Sequence, residues 1–317
     1  MEVKVSVIVP TLNRCALLER LLRSLFEQTL SQDLFEILVA SDGCADGTVN
    51  LVQMLQKDHK NLRLLEQGRR GPAAARNTAA RIAKGEYLAF TDDDCVAPKQ
   101  WLENLVKGFI ETGAAGIQGR TSTIEAECSP LTNEVRNEKG MSGVPTCNAA
   151  YRKDIFQRVG GFDESFSFPH NEDADLAWRI EKLAPIRFLR EVHMIHPPRR
   201  ETLCRRAYWV RYLETEFLLF AKHPEAYRRH SSSPWRTIYG HVFVIAAFFG
   251  LKSAIKYLFP PFRPRYFMEA IALVLVREWN LLRFYPHYRK AAMRHRGLQV
   301  EPWTQPKPTH TGSLAER

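Results

Sequence analysis

The stretch Tyr87–Pro98, YLAFTDDDCVAP, constrains this chain more than any other. Tyr87–Phe90 is apolar and uncharged and reads as a short buried strand. Three carboxylates follow at once, Asp92, Asp93 and Asp94. In an extended segment residues i and i+2 point the same way, so Asp92 and Asp94 are expected on one side and Asp93 on the other. Neighbouring carboxylates at a strand end repel unless a cation sits between them. A hard divalent ion suits such oxygens, and Mg²⁺ usually takes one or two protein carboxylates plus substrate phosphates. The carboxyl ends of strands are also where open α/β sheets bind ligands. The alternative is an acidic turn that only ends a strand.

The preceding chain alternates strands and helices. Lys4–Pro10 is a near-continuous apolar run, as in a strand covered on both faces. Leu17, Leu18, Leu21, Leu22, Leu25 and Phe26 recur at helical spacing. Phe35–Ala40 and Leu62–Glu66 read as further strands. The polar turn Ser41–Thr48 offers Asp46 as N-cap of a helix through Lys57. Gln67–Gly71 is a Gly- and Arg-rich loop, expected to be mobile, before a helix opened by Pro72 and closed by Gly85. This alternation predicts a parallel sheet with helices on both faces. Trp101–Ile110 continues as an amphipathic helix and Gly116–Ile124 as a strand; Ala126–Lys139 is polar and reads as a loop.

A second acidic group, Asn171-Glu172-Asp173-Ala174-Asp175, precedes the helical stripe Leu176, Ile180, Leu183. Acids are favoured at helix N-termini, and the dipole there should lower the pKa of Asp173. Asp175 is placed to pair with Arg179 at i+4. The six cysteines show no zinc or redox spacing, so free thiols in a reducing cytosol are expected. The N-terminus has no signal-peptide pattern.

Charge divides the chain. Residues 1–198 hold 24 Lys and Arg against 27 Asp and Glu, while residues 199–317 hold 21 against 8. The second part therefore calls for an anionic partner. It carries two apolar stretches, Ile238–Leu251 and Phe267–Val276, flanked by Arg, Lys, Trp and Tyr. Neither reaches the roughly 20 residues of a spanning helix, which points to segments lying on a membrane surface. The alternative is a helical hairpin packed on the rest of the chain or on a second copy in a homodimer. Glu301–Arg317 has no apolar period and reads as disordered.

The run Gly68–Cys95, GRRGPAAARNTAARIAKGEYLAFTDDDC, closely resembles the family 2 glycosyltransferases of GT-A fold, where a GxxxARNxG-like helix leads into a strand ending in D-x-D. VSVIVPTLNR and ASDGCADGT are similar to the family's first strand-turn and second turn, with Ser41 standing where an acid is often found. The resemblance covers roughly residues 3–198. It implies a catalytic part over 1–198, with a nucleotide-sugar half to about residue 97 and an acceptor half over about 98–198; beyond it, charge and composition alone point to a basic helical extension over 199–296 and a tail over 297–317. It implies that Pro10, Thr11, Asn13, Arg14, Asp42, Arg76, Asp92 and Asp93 hold a nucleotide-diphosphate sugar. It implies that Asp94, with Asp92, binds Mg²⁺ or Mn²⁺, and that His196 in EVHMIHPP is a further ligand. The family's E-D pair falls on Glu172 and Asp173, which makes Asp173 the general base and Glu172 an acceptor contact. The activity the resemblance implies is inverting sugar transfer to an acceptor hydroxyl; the basic, apolar second part adds the expectation of a glycan or lipid-linked acceptor met on the inner face of the cell membrane.

Two rivals are weaker. A sugar-nucleotide nucleotidyltransferase would need a basic, Gly-rich triphosphate loop, and PTLNRC is a poor one. A nucleic-acid-binding protein would carry a solvated basic face, and the apolar stretches argue against it; no nucleic-acid partner is expected.

Overall fold

The structure, a computed structural model, describes residues 2–166 and 168–296; the tail expected over 297–317 lies outside the described residues. Five strands and helices in alternation open the chain: β1 (Val5–Thr11), α1 (Cys15–Phe26), β2 (Phe35–Asp42), α2 (Thr48–Leu55) and β3 (Leu62–Gln67). Next come α3 (Pro72–Ile82), β4 (Tyr87–Phe90), α4 (Trp101–Thr112), β5 (Gly116–Ser122), the short β6 (Thr132–Asn133) and β7 (Ala149–Arg152). Then α5 (Lys153–Arg158), α6 (Glu172–Glu181), β8 (Ile186–Ile195) and β9 (Arg199–Arg200) complete the sheet-bearing part. The seven-stranded sheet runs β3-β2-β1-β4-β7-β5-β8, and β6 pairs with β9 apart from it. β1, β2, β3 and β4 are mutually parallel, whereas β7 is antiparallel to both its neighbours, β4 and β5.

Alternation along β1 builds two cores. Val5, Val7 and Val9 face α1 and α4, where Leu18, Leu21, Trp101 and Leu105 are buried. Ile8 faces the other layer with Leu38 and Phe90, under the alanines of α3 and the apolar side of α6. A strand covered on both faces has no polar side, which is why β1 and β2 are buried throughout. The small side chains of α3 bring its backbone close to the sheet. The outward turn of strand order falls between β1 and β4, so the ends of β1, β2 and β4 open on one crevice.

Beyond the sheet lie α7 (Leu203–Tyr208), α8 (Thr215–Lys222), α9 (Pro224–Arg228), α10 (Ala246–Ile255), α11 (Pro264–Arg283) and α12 (Tyr285–Arg294). They have a core of their own, with Val210, Phe217, Ile238, Leu281 and Tyr288 buried in it. α8 belongs to both parts: Phe217 enters this third core, while Leu219 packs with α3 and α6.

One expectation for this region is corrected. The first apolar stretch does not end at Leu251. It forms a continuous helical run, Arg236–Leu258, of 23 residues, long and on average apolar enough by length and composition to cross a membrane. Lys252 and Lys256 do not stop it, because lysine is a good helix former.

Candidate active site

The acidic stretch after β4 is not extended. The strand ends at Phe90, and the Cys95 amide donates to the Asp92 carbonyl, closing a turn. The expected pairing of Asp92 with Asp94 is therefore replaced by another. Arg14 donates to Asp93 Oδ1 at 2.7 Å and to Asp94 Oδ2 at 3.2 Å, and the Thr11 hydroxyl donates to Asp93 Oδ2 at 2.8 Å. Asp92 turns instead to Arg76, 3.0 Å away. Burial pushes the Asp93 carboxyl up to about 6, against the opposing pull of Arg14.

Asp94 is nearly buried beside three cationic or basic groups. His196 Nε2 lies 3.4 Å from its Oδ1, and Arg199 lies 3.4 Å from its Oδ2. Asp94 Oδ1 and His196 Nδ1 are buried and lack hydrogen-bond partners among the described residues. Asp94, Cys95 and His196 offer ligand atoms within 4.8 Å of one another. Burial holds the Cys95 thiol well above its usual pKa, so the carboxylate and imidazole are the donors that fit a divalent ion. The orphaned carboxylate oxygen facing a ring nitrogen passes that test for Mg²⁺ or Mn²⁺. Asp92 stands outside this group.

The other nucleotide-side residues take distinct places. Pro10 is a buried β1 residue in register with Ala40. Asn13, with φ of 53°, accepts from the Ala45 amide at 2.7 Å and so ties the first turn to the second. Asp42 accepts from the amides of Arg70 and Gly71 at 2.8 and 2.9 Å and from the Gln67 side chain at 2.8 Å. These bonds pin the loop expected to be mobile. The N-cap of α2 is Gly47 rather than the expected Asp46, which lies one residue before it and accepts from the Thr48 amide at 3.0 Å. Leu12, Arg14 and Leu17 on one side and Arg199, Arg200 and Arg205 on the other line a cleft of about 500 Å³.

α6 brings in the second acidic group. Glu172 is buried and accepts from Arg76 at 3.0 Å, so one guanidinium joins the two acidic stretches. Arg76 is held from behind by the Phe162 ring, 5.5 Å from its centre. Asp173 is half-buried in the first turn of α6. Its pKa is raised, by burial first and by the Glu172 charge second. The lowering expected from the helix N-terminus is overturned, because one bond from the Ala174 amide does not offset those two effects.

Sequence reasoning missed what holds α6. Asp175 pairs with Arg179 as expected, but also with Lys222 Nζ at 2.5 Å and His223 Nε2 at 2.9 Å. These partners keep its carboxyl well below the usual range although burial opposes them. Asn171, with φ of 73°, starts α6 and donates to Glu216 at 3.0 Å, and His170 lies 3.1 Å from the same carboxylate. Tyr227 donates to Glu216 at 2.6 Å. The available signal was Glu216 itself, an acid within the apolar run TEFLLF. His193 lies apart, 2.8 Å from the Ser122 hydroxyl.

A mixed sheet with an acidic crevice at this switch point defines a GT-A-type glycosyltransferase fold. Residues 6–160, just under half of the chain, match the family described as Glycosyl transferase family 2, and this part of the chain belongs to that family. Glycosyltransferase AglE of Haloferax volcanii is 31% identical over 168 residues, 50% of this chain and 55% of that protein. A GalNAc(5)-diNAcBac-PP-undecaprenol beta-1,3-glucosyltransferase of Campylobacter jejuni is 42% identical over 93 residues, 29% of each chain. Among solved structures, the mannosyltransferase PcManGT of Pyrobaculum calidifontis, in complex with GDP-Man and Mn²⁺, aligns with a TM-score of 0.57 at 23% identity, covering 88% of each chain. The chain spans about half the length of the first curated relatives it matches.

Proposed function

We propose that this chain is an inverting glycosyltransferase that moves a sugar from a nucleotide-diphosphate donor to an acceptor hydroxyl. The observation that carries the reading is the two acidic groups joined by Arg76 across one crevice, with an unpartnered carboxylate oxygen beside an imidazole on one and a carboxyl of raised pKa on the other. The donor nucleotide lies over the ends of β1 and β2, where Thr11, Arg14 and Asp42 are gathered. Asp94 and His196 would hold a divalent ion, which when bound would supply charge stabilisation to the departing diphosphate, as metals do in phosphoryl transfer. Asp173 takes the acceptor's proton as its oxygen bonds to the anomeric carbon and the bond to the diphosphate breaks. A raised pKa suits this work, since a base is most effective near its operating pH. Glu172, held by Arg76, is placed as a contact for the acceptor.

The relatives' names support a role in cell-surface glycan or glycolipid synthesis, with a glycan or lipid-linked acceptor. The excess cations after residue 198 support a peripheral site on the inner face of the cell membrane rather than nucleic acid. A homodimer remains the competing use of the same helices. We place the end of the catalytic unit after α9 rather than at residue 198, since α8 and α9 hold α6. The test is a screen of common sugar nucleotides, reading nucleotide diphosphate release with and without Mn²⁺. Release from none of them sinks the reading.

A further inference from the structure

Most of the exposed large apolar side chains lie in one place. Val244, Phe248, Leu251, Ile255 and Leu258 are all exposed, at spacings of four, three, four and three along the helical run, so they form one stripe. On α11, Met268, Leu275, Trp279 and Leu282 do the same. The two helices pack as a hairpin: a Cβ at Gly250 would stand 2.9 Å from Val274, so glycine there permits the close approach. Phe259 and Phe262, 62% and 63% exposed, stand at the tip around Pro260-Pro261. Lys252, Lys256, Arg263 and Arg265 surround them, and no Asp or Glu occurs between Arg236 and Met268. Bared apolar surface of this extent marks an interaction site.

We propose that this hairpin beds, tip and stripe together, into the headgroup layer of an anionic bilayer without crossing it. This rests on the membrane-surface part of the proposed function. The first part of the run is already committed to protein, because Ile238 is buried in the third core and Trp235, Tyr239 and Val242 pack against it. Only Val244–Leu258 is free, and at about 1.5 Å per residue it spans roughly 22 Å, short of a hydrocarbon core of about 30 Å. A crossing would also carry the four tip cations through that core. A second copy of the chain is disfavoured by charge, since it would set the cationic, acid-free stretches Arg236–Met268 against each other, whereas an anionic leaflet complements them. The placement serves the active site. Glu269, near the start of α11, bonds to Arg200, which lines the cleft beside Asp94. The bedded hairpin therefore holds the mouth of that cleft at the lipid surface, where a lipid-linked acceptor would be met.

The experiment is co-sedimentation of the full chain with vesicles of phosphatidylglycerol and phosphatidylcholine, or of phosphatidylcholine alone. Two double variants are compared, Phe259→Ser/Phe262→Ser and Lys252→Glu/Lys256→Glu, each checked by thermal melting and by mass in solution. The phenylalanine pair should lower binding at least tenfold. The lysine pair should remove the preference for phosphatidylglycerol, each charge being worth roughly a fivefold change. Wild-type binding in both variants puts the membrane contact elsewhere; the hairpin inference then falls while the membrane reading stands. A dimer that the phenylalanine variant breaks, with no vesicle binding by the wild type, overturns both.

Discussion

Arg76 and Glu172, 96 residues apart in the chain, form a 3.0 Å ion pair in which both side chains are almost wholly buried. The same guanidinium holds Asp92, so the two acidic groups share one cation. Arg76→Met should leave Glu172 buried and unpaired, at a cost of about 3–5 kcal/mol. The Arg76 charge also restrains the Asp173 pKa, so its loss should raise that pKa further. Thermal melting checks the first outcome. The second appears as an acidic limb of the transfer rate displaced to higher pH; a displacement to lower pH contradicts it.

Asp173→Asn keeps the size of the side chain and removes its basicity. Transfer should fall by about 10²–10⁴-fold, with donor affinity nearly unchanged. In the wild type the rate should drop as pH falls through a value above the ordinary carboxylate range, because burial and Glu172 raise that pKa. Parallel loss of donor binding in the variant would make Asp173 a structural residue.

Asp94→Ala should abolish metal-dependent donor binding, measured calorimetrically with and without Mn²⁺, while the melting temperature changes little. Chelation of the wild type should reproduce the defect. Full turnover after either treatment removes the metal from the reaction.

Glu216→Gln tests the clamp on α6. His170 is raised by Glu216 despite burial, and Glu216 is lowered by His170 and its other donors despite burial. The histidine's stabilising share is complete below its unfolded pKa of about 6.5 and is lost as pH rises through the raised value. The glutamate's share is present above its unfolded pKa of about 4.3 and is lost as pH falls through the lowered one. Wild-type melting temperature should therefore decline above neutral pH, and the variant should show a lower, flatter profile. Identical profiles would mean that the clamp contributes nothing.

The sheet was legible because β1, β2 and β4 are nearly continuous apolar runs and the helices between them repeat at helical spacing. The acidic residues were legible as a group, but their partners were not. An i, i+2 rule holds only while the backbone stays extended, and the turn closed at Cys95 sent Asp92 towards Arg76 and Asp93 towards Arg14. The Asp173 environment was misjudged for a related reason: a helix dipole can be read locally, whereas burial beside Glu172 depends on packing. His170, Glu216 and Lys222 left little trace, because the contacts that tie α8 to α6 and the turn before it join residues 45 or more positions apart.

The clamp between α6 and α8 bears on how chimaeras of this chain should be spliced. A junction after residue 198 looks natural, since the sheet has ended there. It would nonetheless graft a foreign α8 against a resident Asp175 and Asn171, separating partners that have to match. Exchange of the nucleotide-facing segment through β4 leaves that pairing whole. Recombination aimed at the donor is permitted only where Arg76 and Asn77 are retained for Glu172 and the Phe162 carbonyl, and recombination aimed at the C-terminal helices has a forbidden seam.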